Sequence, residues 1–270
     1  MSLRVVTKAD LLQTVRSWRL LGLGVASVFF FAGAAAIFTV LGRLPGGNSG
    51  DVSYAAALVS PLGLLFPLIG ILIGYPAIVS ERVSGTIRIL LSLPHSRREV
   101  VIGKLLSRVA LALGITLAGA TAGYVSLILF GSSVRAIEYA LVIVLAMSLQ
   151  ATFVAISTGL SAGSSSKTTV PAAGLGTVVL FTMLWGIVVR SIEGLLSILW
   201  TGIVGDSFTE FLYGVNPILA FSRLTSLVTS VESRTRMPWG GWWFPVLVLL
   251  GWFSIPVLIG IWRFEQAEIT

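Results

Sequence analysis

Six runs of apolar residues, each about twenty residues long, dominate this chain of 270 residues. An α-helix of about 20 residues rises about 30 Å, which is the thickness of the hydrocarbon core of a bilayer. Hydrophobic residues make up 56% of the chain and charged residues only 11%, whereas about 25% of a soluble domain is charged. The sequence therefore predicts an all-α polytopic membrane protein and excludes a soluble enzyme that carries one membrane anchor.

The predicted spans cover most of a single transmembrane domain at residues 1–270. We place them at residues 20–42, 54–80, 105–130, 139–160, 170–189 and 242–262. The other parts are a cytoplasmic interfacial helix at residues 1–19, a coupling region at 81–104, an outer region at 190–241 and a cytoplasmic tail at 263–270. The outer region is rich in leucine and aromatic residues, so we expect short outer or re-entrant helices there, forming either a packed lid or a docking surface.

Basic residues concentrate in two segments. They are Arg4, Lys8, Arg16 and Arg19 before span one, and Arg82, Arg88, Arg97, Arg98, Lys104 and Arg108 between spans two and three. Because short cytoplasmic loops are enriched in Lys and Arg, we expect both segments, and both termini, on the cytoplasmic side of the cell membrane. The net charge of +7 is thus explained by topology and does not predict nucleic-acid binding.

The predicted spans carry no Asp, Glu, Lys, Arg or His except Arg108, near the start of span three. Ion-coupled carriers place such groups within the membrane, so a self-sufficient channel or secondary carrier is the less favoured alternative. With no cysteine and a single histidine, His95, we expect no metal site and no cofactor in this chain.

Two kinds of short motif, a G-x-S-x-G match and two glycine pairs, are explained by the packing of helices and not by catalysis. Gly159 to Gly163 match the G-x-S-x-G nucleophile elbow, but they end an apolar helix, and the elbow requires a strand-to-helix turn with a histidine partner. We therefore predict that the chain is not an enzyme and has no catalytic residue. The pairs Gly70/Gly74 and Gly119/Gly123 have the spacing that allows membrane helices to approach closely, and we expect them to pack within one subunit.

The N-terminal segment predicts a short amphipathic helix at residues 7–18. Its apolar face would carry Leu11, Val15 and Trp18, and Thr7 with Asp10 would cap its start. Such a helix either only lies in the membrane interface or also contacts a cytoplasmic partner.

The 81–104 segment predicts two helices joined by a turn. Val83, Ile87, Leu90 and Leu91 recur at helical spacing, which predicts an amphipathic helix. Pro94 ends it, and Ser96 with Glu99 forms a capping box for the helix that becomes span three. A partner docked here could move spans two and three.

The same segment carries a recognisable signature, the sequence YPAIVSERVSGTIRILLSLPHSRREVVIGK from Tyr75 to Lys104. It closely resembles permeases of ABC transporters of the type 2 export family, NosY-like subgroup. Matching positions are Glu81, Arg82, Gly85, Thr86, Pro94, Ser96, Arg97, Gly103 and Lys104. Two further segments resemble the interfacial helix and the Asn-Pro segment of such permeases, and their residues are Lys8, Asp10 and Arg16, and Asn216, Pro217 and Arg223.

The resemblance implies the membrane subunit of an ABC exporter. It would act as a homodimer or beside a homologous permease, with ATP and Mg²⁺ bound by two separate ATP-binding subunits. The residues expected at the ATPase contact are Glu81, Arg82, Gly85, Thr86, Arg88, Pro94, Ser96, Arg97, Glu99 and Lys104. Asn216, Pro217 and Arg223 are candidates for an outer gate. The work done would be export of a substrate that the sequence does not identify, or conformational work on an extracytoplasmic partner.

Overall fold

The computed structural model describes residues 3–15, 17–42, 54–87, 96–131, 134–199, 206–229 and 241–267. These residues are almost entirely helical, and the described ranges contain no strand. The helices are α1 (Leu3–Val15), α2 (Trp18–Gly42), α3 (Tyr54–Gly74), α4 (Pro76–Ser84), α5 (Arg97–Leu129), α6 (Ala136–Gly163), α7 (Thr169–Val179), α8 (Trp185–Leu199), α9 (Asp206–Gly214), α10 (Pro217–Thr229) and α11 (Trp243–Gln266), and a π-helix at Leu180–Leu184 joins α7 to α8.

Six helical stretches within the described ranges are long and apolar enough to cross a membrane, which confirms the predicted fold class. They are Leu20–Leu41, Tyr54–Ser84, Arg97–Leu129, Ala136–Gly163, Thr169–Ile198 and Trp243–Gln266. The fifth stretch continues well past residue 189, where we had predicted its end. The apolar positions that suggested a separate outer helix there, among them Leu195 and Ile198, continue the helical repeat of the span.

Helix α6 lies at the centre of the bundle, with α3 and α11 packed along it, while α2 packs along α5. Glycines permit the closest approaches. A Cβ added to Gly74 would lie 2.7 Å from the carbonyl oxygen of Val154 in α6, and one added to Gly119 would lie 2.8 Å from the Phe31 ring in α2. The structure thus confirms that both glycine pairs pack within the chain.

Span two is interrupted at Tyr75, and Pro76 begins α4 at the position where a missing N–H is tolerated. The next free amides of α4 point towards α6. The N–H groups of Ile78 and Val79 donate to Ser161 Oγ at 3.1 and 2.9 Å. The serine of the apparent nucleophile elbow is therefore fully buried and caps a neighbouring helix.

The N-terminal helix differs from its prediction in start and in orientation. Helix α1 begins at Leu3, so Thr7 and Asp10 lie inside it and the predicted cap is wrong. Val6 and Asp10 are buried against α5, where Gly103 leaves room for Val6. The predicted helix also extends too far, because Trp18 begins α2, whereas Val15 of the predicted apolar face is exposed, as a face that meets the membrane interface would be. The face of α1 that packs against α5 is the one that carries Asp10, because Lys104, Ser107 and Arg108 of α5 bind this carboxylate.

Candidate functional site: a polar layer at one end of the bundle

The charged residues of the signature meet at the end of the bundle where α1, α4, the start of α5 and the last residues of α6 and α11 come together. We call this the basic end. Its polar layer consists of the side chains of Asp10, Glu81, Arg82, Arg97, Lys104, Ser107 and Arg108.

Lys104 occupies the middle of this layer and is only 2% exposed. Its Nζ lies 3.1 Å from Asp10 Oδ1 and 2.6 Å from Glu81 Oε1. A buried ammonium group is stable only when opposite charges and hydrogen bonds replace its water. Lys104 therefore holds α1 and α4 together through one cation on α5.

Asp10 accepts hydrogen bonds from two residues besides Lys104. Ser107 Oγ donates to its Oδ2, and Arg108 Nη2 donates to its Oδ1 at 3.2 Å. Burial alone would raise the pKa of Asp10, but Lys104, Arg108 and these hydrogen bonds together hold it below its ordinary value. The carboxylate is therefore ionised at neutral pH, where it fixes α1 to α5.

Two arginines of the layer bind the ends of other helices. Arg82 donates to the carbonyl oxygens of Ser164 at 3.0 Å and Ala162 at 3.4 Å, at the end of α6. The last carbonyls of a helix lack partners within that helix and carry partial negative charge, so an arginine is a favourable partner for them.

Arg97 makes the equivalent contact with α11. Its Nη1 donates to the carbonyl oxygens of Phe264, Glu265 and Ala267 at 2.8, 3.0 and 2.7 Å. The Phe264 ring is fully buried, with the guanidinium carbons of Arg82 and Arg97 at 5.1 and 5.8 Å from its centroid. Both distances allow a cation–π attraction. Four signature residues thus connect five helices.

The turn after α4 depends on Gly85, whose φ of 76° ends the helix in the left-handed conformation. Val83 before it is 56% exposed, while Ile87 after it is 1% exposed. The single amphipathic helix predicted through both positions is therefore wrong, because Gly85 breaks the repeat. The predictions for Arg88, Leu90, Leu91 and Pro94 fall outside the described residues.

The predicted capping box at the start of α5 is confirmed. The Glu99 N–H donates to Ser96 Oγ at 3.2 Å, and the Ser96 N–H donates to Glu99 Oε2 at 2.9 Å. Beside it, Arg98 forms an exposed salt bridge with Glu265, with Nε and Oε1 2.6 Å apart. The box fixes where α5 begins and therefore where Arg97 meets α11.

Several predicted contact residues lie on the surface instead of in the polar layer. Thr86 is exposed and shares a hydrogen bond of 3.0 Å with Ser84. Ser96 and Lys8 are also exposed, while Arg16 lies outside the described residues. We call the exposed residues Val83, Ser84, Thr86, Ser96 and Arg98 of the signature its edge; along the chain they flank Glu81, Arg82 and Arg97 of the polar layer.

The candidates for an outer gate lie at the junction of α9 and α10. Residues Ser207–Gly214 and Pro217–Thr229 form a pair bent by 96°. Asn216, fully buried, donates from Nδ2 to the Phe181 carbonyl in the π-helix at 2.8 Å. Its Oδ1 accepts from the N–H of Ile218 at 2.8 Å and caps α10.

This junction is also held by two tryptophans. Trp185 Nε1 donates to the Leu212 carbonyl at 3.1 Å, and Trp252 Nε1 donates to the Val215 carbonyl at 2.9 Å. Pro217 is buried and begins α10, whereas Arg223 lies farther along that helix, half-buried and away from the bend. The structure therefore brings Asn216 and Pro217 together but does not bring Arg223 to them.

Sequence reasoning missed several residues of the polar layer. Ser107 and Arg108 follow Lys104 at helical spacings of three and four, which would have placed them on one face. Phe264 gave no such signal, because its contacts with Arg82 and Arg97 depend on how α11 packs.

Comparison with known proteins shows the family of the chain. Residues 4–269 match the family described as ABC-2 family transporter proteins. The chain belongs to this family. It is an ABC transporter permease, the membrane subunit of such a transporter, and it is similar to NosY. The probable ABC transporter permease protein NosY of Stutzerimonas stutzeri is 26% identical over 260 residues, which cover 90% of this chain and 91% of the relative. The protein of the same description from Pseudomonas aeruginosa is 29% identical over 204 residues, 69% of each chain.

Proposed function

We propose that this permease transmits the work of separate ATP-binding subunits to its transmembrane bundle, and so drives substrate export or conformational work on an extracytoplasmic partner. The basic end would face the cytoplasm with both termini, in agreement with the positive-inside rule. Two copies, or one copy with a homologous permease, would form the complete translocation unit. ATP and Mg²⁺ belong to the partner subunits in this scheme.

The observation that carries the proposal is that the exposed edge and the buried polar layer belong to the same two short segments of the chain, the end of α4 with its turn and the start of α5. The edge offers Thr86 and Arg98 to a partner. In the same segments, Lys104 of α5 pairs with Glu81 of α4 and with Asp10 of α1, and so joins the three helices. Because charged hydrogen bonds in a buried layer are strong and directional, displacement of the edge would move these helices together.

Coupling can be tested with the permease reconstituted in proteoliposomes together with its ATP-binding subunits. Glu81→Gln removes the negative charge opposite Lys104 while keeping the shape of the side chain. We expect ATP hydrolysis to continue, whereas its stimulation by the permease and the transport signal fall. Glu81→Lys is the less informative variant, because it would place a second ammonium group beside that of Lys104 and destabilise the layer.

Lys167→Gln is the matched control, because Lys167 is exposed in the turn between α6 and α7 and lies outside the polar layer. Its coupling should equal that of the wild type. Equal coupling in Glu81→Gln and Lys167→Gln would contradict the role of the layer. A purified permease that recruits no nucleotide-binding protein and conducts ions without ATP would instead support the channel alternative.

A further inference from the structure

A cavity of about 860 Å³ lies next to the polar layer, bounded by α1, the start of α2, the α3–α4 junction and α5. This volume falls within the range of small-molecule binding sites. The cavity has two chemically different parts. Leu20, Leu23 and Leu72 line one part, and Asp10, Glu81 and Arg108 line the other. A ligand that satisfies both parts must be amphipathic.

Two side chains that line the charged part of the cavity, those of Glu81 and Arg108, each carry one atom that the chain does not satisfy. Glu81 Oε2 and Arg108 Nε are buried and have no hydrogen-bond partner. A carboxylate oxygen accepts hydrogen bonds, and a guanidinium N–H donates them. Leaving such atoms unpaired costs free energy, so a small rotation of either side chain towards the cavity would allow a ligand there to supply the missing hydrogen bond.

The charge of the site also restricts the ligand. Asp10 and Glu81 carry two negative charges, and Lys104 and Arg108 carry two positive charges, so the cluster is neutral as a whole. A ligand with a large net charge would therefore be opposed by one half of the cluster. A headgroup with one cationic donor and one anionic acceptor matches it.

We propose that this cavity binds a zwitterionic amphiphile that carries a primary ammonium group and a phosphate. The ammonium pairs with the Glu81 carboxylate, the phosphate accepts from the Arg108 guanidinium, and the first part of the acyl chains lies along Leu20, Leu23 and Leu72. The leucines belong to membrane-spanning helices, which favours a membrane lipid over the same headgroup free in water. This inference does not depend on the proposed coupling to ATP hydrolysis.

The chain offers a matched pair of variants that test the cavity without breaking the polar layer. Gly22 lines the cavity and Gly24 does not, and a side chain added at either position of α2 would meet no atom within 4 Å. Gly22→Leu should therefore fill part of the cavity while the fold is kept. Gly24→Leu adds the same group to the same helix outside the cavity.

The measurement is native mass spectrometry of the delipidated full-length protein in mild detergent, titrated with lipids that share palmitoyl-oleoyl chains. We expect one phosphatidylethanolamine per chain to bind the wild type and Gly24→Leu equally, and Gly22→Leu at least about tenfold more weakly, a change of 1.4 kcal/mol. Phosphatidylcholine, which has no N–H, and phosphatidylglycerol, which has no cation, should each bind about tenfold more weakly, as expected for loss of one charged hydrogen bond.

Equal binding to the two glycine variants would overturn the proposal, because the lipid would then be an unspecific annular one. Equal binding of the three lipids would overturn the assignment of the headgroup. Phosphoethanolamine without acyl chains distinguishes the two sources of the headgroup. If it binds as tightly as the lipid, the membrane origin of the ligand is refuted.

Discussion

The contact between Asp10 and Lys104 allows a quantitative test of the polar layer. Lys104→Met replaces the buried ammonium by an apolar side chain of similar length and leaves Glu81 Oε1 without its partner at 2.6 Å. Removing one partner of a buried ion pair costs about 3–5 kcal/mol. Because Asp10 keeps Ser107 and Arg108 as donors, we expect a loss near the lower value, about 3 kcal/mol.

The assay is thermal unfolding of the purified protein in detergent. With about 2–4 °C per kcal/mol for a chain of this size, Lys104→Met should lower Tm by about 6–12 °C. Lys167→Met makes the same change at an exposed site and should alter stability by less than about 0.5 kcal/mol. The double variant Asp10→Ala with Lys104→Met should be more stable than the sum of the single effects predicts, by about 1–3 kcal/mol.

Two results would refute this reasoning. A Lys104→Met variant as stable as Lys167→Met would mean that Lys104 is not a buried, paired cation in solution. Strict additivity of Asp10→Ala and Lys104→Met would mean that the two side chains do not interact, despite the 3.1 Å that separate Nζ and Oδ1.

Three other predictions concern other parts of the fold. Gly74→Ala should destabilise the protein by about 1–3 kcal/mol, because the new methyl group would lie 2.7 Å from a carbonyl oxygen of α6. Gly114→Ala is the control, since a methyl group there has open space and should be neutral or slightly stabilising; the Tm of the two variants in detergent compares them. Asn216→Ala should cost about 2–4 kcal/mol, because it removes the cap of α10 and the donor to the Phe181 carbonyl, and Asn216→Asp should lose at least as much, because a buried carboxylate would face that carbonyl oxygen; a loss below about 0.5 kcal/mol in Asn216→Ala would contradict both hydrogen bonds. The pKa of Asp10 lies below the ordinary 3.8, so its contribution to stability is complete above about pH 5 and is lost as pH falls through the lowered value; Asp10→Asn should flatten the acid limb of a Tm-against-pH curve, and an unchanged limb would contradict the ion pair.

The sequence could predict the membrane spans and the start of α5, because hydropathy and local residue spacing determine them. The spans followed from hydropathy, since the thickness of the membrane sets the length of an apolar helix. The capping box of Ser96 and Glu99 followed from a spacing of three residues, because both hydrogen bonds are local. The resemblance to ABC permeases indicated which residues matter, although not what they contact.

The contacts of the signature depend on packing between distant helices, which no local pattern contains. The N-terminal helix shows this, because its sequence pattern predicted that Asp10 helps to cap the start of the helix, yet Asp10 lies inside α1 and is buried against its charged partners on α5. Glu81 and Lys104 were predicted to meet an ATPase, and the structure shows them paired with each other. Only residues around them remain exposed to a partner.

The bonds from Arg97 to the end of α11 have a consequence for the order of biosynthesis. They join positions 167 to 170 residues apart in the chain. Arg97 is therefore synthesised long before its acceptors, and the ring of Phe264 reaches the two arginines only after the last helix has inserted. Until then the basic end is incomplete, so a nascent permease that has integrated five helices would not yet offer the finished surface to a cytosolic protein. Completion of the chain, not insertion of the signature itself, would set the moment at which assembly with other subunits can begin.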